Sequence, residues 1–172
     1  MARYTVTTTT ITPTGTGDAS AAFTDSTYMT ILQGGNTTQR LNISEIYLGG
    51  EAPSTSSPTI MVLARDHVVA ATVSAGTCRN AALDASSSPP ATLALFGHVA
   101  STKPQRSAAL HLLHLSFNAY GGIVRWVARP GEEPSVVGNA GSAGGSLGEV
   151  SLSAYTGGTP GPMSSHIIYE IV

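Results

Sequence analysis

The chain has 172 residues, 41% hydrophobic and only 10% charged, with eight basic residues, ten acidic ones and a formal net charge of −2. Roughly 100–200 residues suit one domain with one core, so a single domain spanning residues 1–172 is expected. Eight basic residues, Lys103 being the sole lysine, cannot build the dense positive field that a phosphate backbone requires, and no run approaches the ~18 apolar residues of a membrane-spanning helix, so neither nucleic acid nor membrane is expected as a partner.

Met1-Ala2-Arg3-Tyr4 leads straight into threonines without the apolar stretch of a signal peptide, which predicts synthesis and folding in a cytoplasm. The first strand is predicted over Tyr4 to Thr12, closed by Pro13, Gly15 and Gly17, with residues 1–12 free to serve as an edge strand or contact arm. Tyr28 to Leu32 reads as a second strand ending at Gly34-Gly35, and Leu41 to Leu48 as a third ending at Gly49-Gly50. After Pro53 and Pro58, the continuous apolar run Ile60 to Leu63 predicts a central strand covered on both faces. Cys78 is the only cysteine, so no disulfide can form within one chain, and it reads as a small buried hydrophobe.

Thr92 to His98 and Leu112 to Asn118 make two more predicted strands; in the second, Leu113, Leu115 and Phe117 alternate with His114, Ser116 and Asn118. A helical turn over Ala108 to Leu112 is the competing reading there, from Leu110, Leu113 and Phe117 at spacings of three and four. Ile123 to Arg129 places Val124, Trp126 and Ala128 opposite Arg125 and Arg129, which marks Trp126, with Leu113, Leu115 and Phe117, as a core anchor. Pro130-Gly131 ends that strand, and Glu132-Glu133-Pro134 forms an acidic turn before Ser135-Val136-Val137. Gly138 to Gly148, with five glycines, predicts a flexible loop, and Glu149 to Tyr155 and His166 to Val172 are the last strands. Eight or nine short strands at spacings near ten residues predict an all-β, antiparallel β-sandwich of jelly-roll-like form.

No constellation in the sequence carries chemistry, and no catalytic residue, metal ligand or cofactor is expected. His111 and His114 are the closest histidine pair, but their spacing suits a helix rather than a strand; His67, His98 and His166 stand apart from any cupin-like group. The acids are scattered apart from the exposed Glu132-Glu133, there is no Gly-x-Ser-x-Gly elbow, and Gly141 to Ser146 lacks the Lys-Ser/Thr of a phosphate loop. Arg65-Asp66 reads as a local ion pair at a strand end. The chain is therefore not expected to be an enzyme. Its surface is left to Ser, Thr, Gly and Ala, which desolvate cheaply and suit contact with other proteins, although sparse charge equally accompanies a strand-rich fold.

This texture, with Leu41-Asn42-Ile43-Ser44-Glu45-Ile46-Tyr47-Leu48-Gly49-Gly50 and the closing Ser164-Ser165-His166-Ile167-Ile168-Tyr169-Glu170-Ile171-Val172, resembles the capsid decoration, or cement, proteins of tailed bacteriophages. The resemblance implies a homotrimer on the virion exterior that binds the major capsid protein and clamps neighbouring subunits of an icosahedral head. Arg3, Tyr4 and Val6 of the leading strand are the expected contact residues, by pairing with a neighbour's sheet edge. The alternative is a glycan-binding β-sandwich module of a phage fibre or adhesin, with Tyr47, Tyr120 and Tyr155 available to stack on sugar rings.

Overall fold

A computed structural model describes residues 2–18, 23–52, 58–68, 70, 72–86, 94–139, 148–155 and 160–172. Ten strands form among them: β1 (Arg3–Ile11), β2 (Tyr28–Gly50), β3 (Pro58–Val68), β4 (Cys78–Ala82), β5 (Ala94–Gly97), β6 (Gln105–Asn118), β7 (Ile123–Val127), β8 (Ser135–Asn139), β9 (Glu149–Ala154) and β10 (Met163–Ile171). The expected all-β, antiparallel, two-sheet fold is therefore present, with one strand more than eight or nine and with β2, β3 and β6 much longer than expected. The only helical element among the described residues is a single 3-10 turn, Asp25–Thr27.

The 23-residue β2 joins the sheets. Its Tyr28–Gln33 part pairs with β9, and Ile31–Gly34 with β5; its Leu41–Gly50 part pairs with β10, and its other edge with β7 and β8. Gly34-Gly35, expected to end a strand, instead lies inside one. Glycine in a strand marks a bend, and a bent strand can pass from one sheet to the other without a turn. The first sheet runs β4-β1-β10-β2 with β7 and β8 on the far edge of β2; the second runs β5-β2-β9-β3-β6. Partners nest, with β1 against β10, β2 against β9 and β3 against β6, which is the arrangement of a hairpin rolled on itself.

The main core lies between the sheets and contains Val6, Leu32, Ile43, Ile46, Leu48, Met61, Leu63, Leu115, Phe117, Leu152, Ile167 and Tyr169. Leu113 and Trp126 are partly buried and pack against it, so Trp126 is a flank of the core rather than its centre. A smaller cluster of Phe23, Tyr28, Ile31, Ala70 and Ala100 lies on the outer face of the second sheet, where loops cover the strands. β9 is buried along its whole length: Val150, Leu152 and Ala154 alternate with Glu149, Ser151 and Ser153, the polar set facing those loops. On the outer face of the first sheet Thr9 is exposed and Thr7, Tyr47, Ser164 and His166 are half-buried, with no loop among the described residues folded over them.

The leading strand is not an edge. β1 pairs with β10 on one side and, over Tyr4–Thr8, with β4 on the other, so its backbone groups are already used. Tyr4 and Val6 are core residues, and of the three expected contact residues only Arg3 is exposed. The helical turn over Ala108 to Leu112 is likewise replaced by the continuation of β6. Of the predicted flexible loop, Gly138 and Asn139 belong to β8 and Gly148 precedes β9; residues 140–147 lie outside the described residues.

Candidate functional site

Two polar regions stand out, one on each outer face. On the open face of the first sheet, strand pairing aligns Thr7, His166, Tyr47 and Arg125 in one row across β1, β10, β2 and β7. An open groove of about 320 Å³ follows this row and is lined by Thr7, Thr9, Tyr47, Ile123, Ser164 and His166 among others. It is bounded by a bulge between Thr8 and Ile11, where Thr10 holds a left-handed φ of 49°, a costly conformation for a β-branched residue.

The groove's charges are internally matched. The Tyr47 hydroxyl donates to Glu45 Oε2 at 2.7 Å, Arg125 donates to the same oxygen at 2.8 Å, and Arg3 reaches Glu45 Oε1 at 3.3 Å. The bonds from Tyr47 and Arg125 hold the Glu45 carboxyl below its ordinary range. The Arg125 guanidinium lies 5.1 Å from the centre of the Tyr47 ring, and the His166 ring lies 5.6 Å from it at a tilt of 47°. Tyr47 is thus engaged by two neighbours. Burial pushes the His166 imidazole below its ordinary value, which favours the neutral ring at pH 7, and its buried Nε2 has no hydrogen-bond partner among the described residues.

Beside the groove, β7 has no second strand partner among the described residues. It shows Ile123 at 79% exposure and Val127 at 49%, with Tyr120 at 55% in the preceding turn. Sheet edges in solitary domains are normally blunted by charge, proline or a covering loop; between these two apolar side chains, β7 offers Arg125 alone.

The second region lies under the loops of the other sheet. The Arg106 side chain is 0% exposed. Its Nε donates to Asp18 at 3.0 Å, its Nη1 to Ser153 Oγ at 2.7 Å and to the Ala154 carbonyl at 3.0 Å, and its Nη2 to the Thr16 carbonyl. The rings of Phe23 and Tyr155 lie 5.2 and 5.3 Å from the guanidinium carbon. One side chain therefore fastens the loop of residues 12–18 to the sheet. Burial raises the Asp18 carboxyl, but the bonds from Arg106 and His111 outweigh it and hold Asp18 below its ordinary value.

Behind Arg106, sheet pairing brings together two carboxyls that are 83 positions apart, Asp66 and Glu149, both buried. Ser151 donates to Asp66 Oδ1 at 2.9 Å; Glu149 accepts from the Ala70 amide at 3.1 Å and from Gln33. Burial, then the Glu149 charge, raises the Asp66 carboxyl well above its ordinary value; burial also raises Glu149, against the bonds from Gln33 and Ala70. Asp66 Oδ2 finds no donor among the described residues. A proton on Asp66 would resolve this, since its O–H could then donate to Glu149 and one negative charge would serve the pair. Alternate side chains of a strand point to opposite faces, so Asp66 lies on the loop-covered face with Glu149 and Ser151, away from Arg65, and the ion pairs among the described residues do not include the expected one between Arg65 and Asp66.

Of the tyrosines considered for sugar stacking, Tyr47 is engaged by Arg125 and His166, Tyr155 lies against Arg106 and His111, and Tyr120 is exposed. Cys78 is buried, as a lone small hydrophobe would be, and lies 2.9 Å from the Thr8 hydroxyl. No family model, curated protein or solved structure matches the chain.

Proposed function

We propose that this chain is a structural binding domain that attaches to the outside of an icosahedral phage head as a decoration protein and, as a homotrimer, stabilises contacts between major capsid subunits. The observation that carries the reading is the asymmetry of the two outer faces among the described residues: loops cap one, while none covers the other, which lies beside an edge strand showing Ile123 and Val127. The charge-poor, hydroxyl-rich composition and its likeness in texture to cement proteins give the reading its particular form. The contact is assigned to β7 and the groove rather than to β1, because β1 already has two strand neighbours. A domain that binds the assembled shell and not free subunits adds its affinity to the stability of the shell.

The test is light scattering coupled to size exclusion, followed by addition of the chain to undecorated shells. A trimer that sediments with shells, and an Ile123→Asp variant that keeps its strand spectrum but no longer sediments, are the expected results. A monomer at high concentration that ignores shells would overturn the proposal. The glycan-binding alternative draws on the same groove, but a sugar stacking on Tyr47 must first displace Arg125 or His166. Glycan-array binding that disappears in Tyr47→Ala would favour it.

A further inference from the structure

β6 and β3 pair with Leu113 opposite Leu63 and His111 opposite Ala64, so Leu112 is an extra residue on β6. A bulge of this kind reverses the alternation of side chains. Two histidines three positions apart, which an unbroken strand would send to opposite faces, therefore meet on one face. Their rings lie 5.0 Å apart between centres, and His111 Nδ1 stands 2.8 Å from His114 Nε2. On its other side His111 Nε2 is 3.0 Å from Asp18 Oδ1.

The protons follow from Asp18. A carboxylate only accepts, so His111 Nε2 carries a hydrogen; in the imidazole form of the ring Nδ1 is then the acceptor, and His114 donates from Nε2. His111 is thus turned and held, its Nδ1 lone pair aimed at His114, by the carboxylate–histidine pairing that orients metal-binding imidazoles elsewhere. His114 is exposed, so an ion can reach the pair from solvent.

We propose that His111 Nδ1 and His114 Nε2 form a two-nitrogen site for a late first-row divalent metal ion, copper(II) or nickel(II), with Asp18 as the positioning residue. In binding, both rings tilt so that their lone pairs meet at the ion rather than along the nitrogen–nitrogen line, the hydrogen on His114 Nε2 is replaced by one on Nδ1 in the other tautomer, and Nε2 takes up the ion. With metal–nitrogen bonds of about 2.0 Å, a nitrogen separation like that seen here subtends about 90° at the metal, the angle between neighbouring ligands of a tetragonal centre. A tetrahedral zinc ion would need the nitrogens roughly 0.5 Å further apart. Among the described residues no three His, Cys, Asp or Glu side chains converge on one point, so water or a second molecule completes the coordination.

The experiment is calorimetric titration of the untagged chain with copper(II) and nickel(II), with electron paramagnetic resonance of the copper form. One ion per chain, nitrogen couplings from two imidazoles and weaker binding of zinc are expected. Affinity should fall by about tenfold or more in Asp18→Asn, in line with loss of an orienting carboxylate, and by more in His114→Gln. His67→Gln, which alters a histidine elsewhere on the surface, should bind as the parent does. Absence of binding, or stoichiometric binding that survives His111→Gln combined with His114→Gln, would overturn the assignment.

Discussion

Replacing Arg106 with Met keeps much of the side chain's length while removing its charge and every donor. In the folded chain this leaves Asp18, which has only 13% of its side chain exposed, with His111 alone of its two partners, and strands the carbonyls of Thr16 and Ala154 and the Ser153 hydroxyl. It also removes the positive charge that lies near the Asp66–Glu149 pair. Breaking a buried ion pair from one side costs about 3–5 kcal/mol, because the remaining charge loses its full-charge partner; for Asp18 only the His111 hydrogen bond is left. A domain of this size has roughly 5–15 kcal/mol of stability in all, so from the middle of that range the variant should still fold but lose about a third to a half of it. With a urea dependence of about 2 kcal/mol per molar, the midpoint should fall by roughly 2 M. Urea unfolding followed by the fluorescence of Trp126, the only tryptophan, measures the shift directly. Arg106→Lys should recover less than half of the loss, since an ammonium group cannot reproduce the fork that reaches both the loop of residues 12–18 and β9. A midpoint within about 0.3 M of the parent would refute the view that Arg106 fastens the loop of residues 12–18 to the sheet.

The Asp66–Glu149 pair predicts a pH dependence opposite to the usual one for carboxylates. A carboxyl raised in the folded state contributes stability that is complete below its ordinary value of 3.8 and is lost as pH rises through its folded value. Asp18, Asp25 and Glu45 are lowered and act the other way, losing their contribution as pH falls through their folded values. Asp66→Asn keeps a donor toward Glu149 and removes the titration, so between pH 5 and 9 the variant's stability should vary less than the parent's and should equal or exceed it at the alkaline end; a steeper fall there would contradict a shared proton. Cys78 is buried beside Thr8, and burial raises its thiol above the ordinary value. Ellman's reagent should leave it unmodified in the native chain and label one thiol per chain in denaturant, whereas fast native labelling would place it at the surface.

The strand content was legible because period-two alternation is a local property. Leu113, Leu115 and Phe117 point inward, and Arg125 points out beside Val124 and Trp126, as their spacing says they must. β4 escaped notice although Cys78, Arg79, Asn80, Ala81 and Ala82 alternate in burial, because Asn and Ala are poor strand formers and nothing marks the run. The Asp66–Glu149 pair had no signal of its own: on β9, Glu149, Ser151 and Ser153 read as a solvent-facing set until loops are known to cover them. The histidine pair depended on one extra residue in β6, which no propensity marks.

Sequence by itself determined the class of fold, the alternation of most strands, the scarcity of charge and the inward set on β6, since all of these rest on neighbours within a few residues. Tertiary structure alone decided that β1 is an interior strand, that β2 turns the corner between sheets, that one outer face is capped and the other open, and that Asp18, His111 and His114 meet. Each of these depends on which distant strands pair and in what register. A shift of one residue in pairing reverses every side chain that follows, so these features become defined only when the whole sandwich closes.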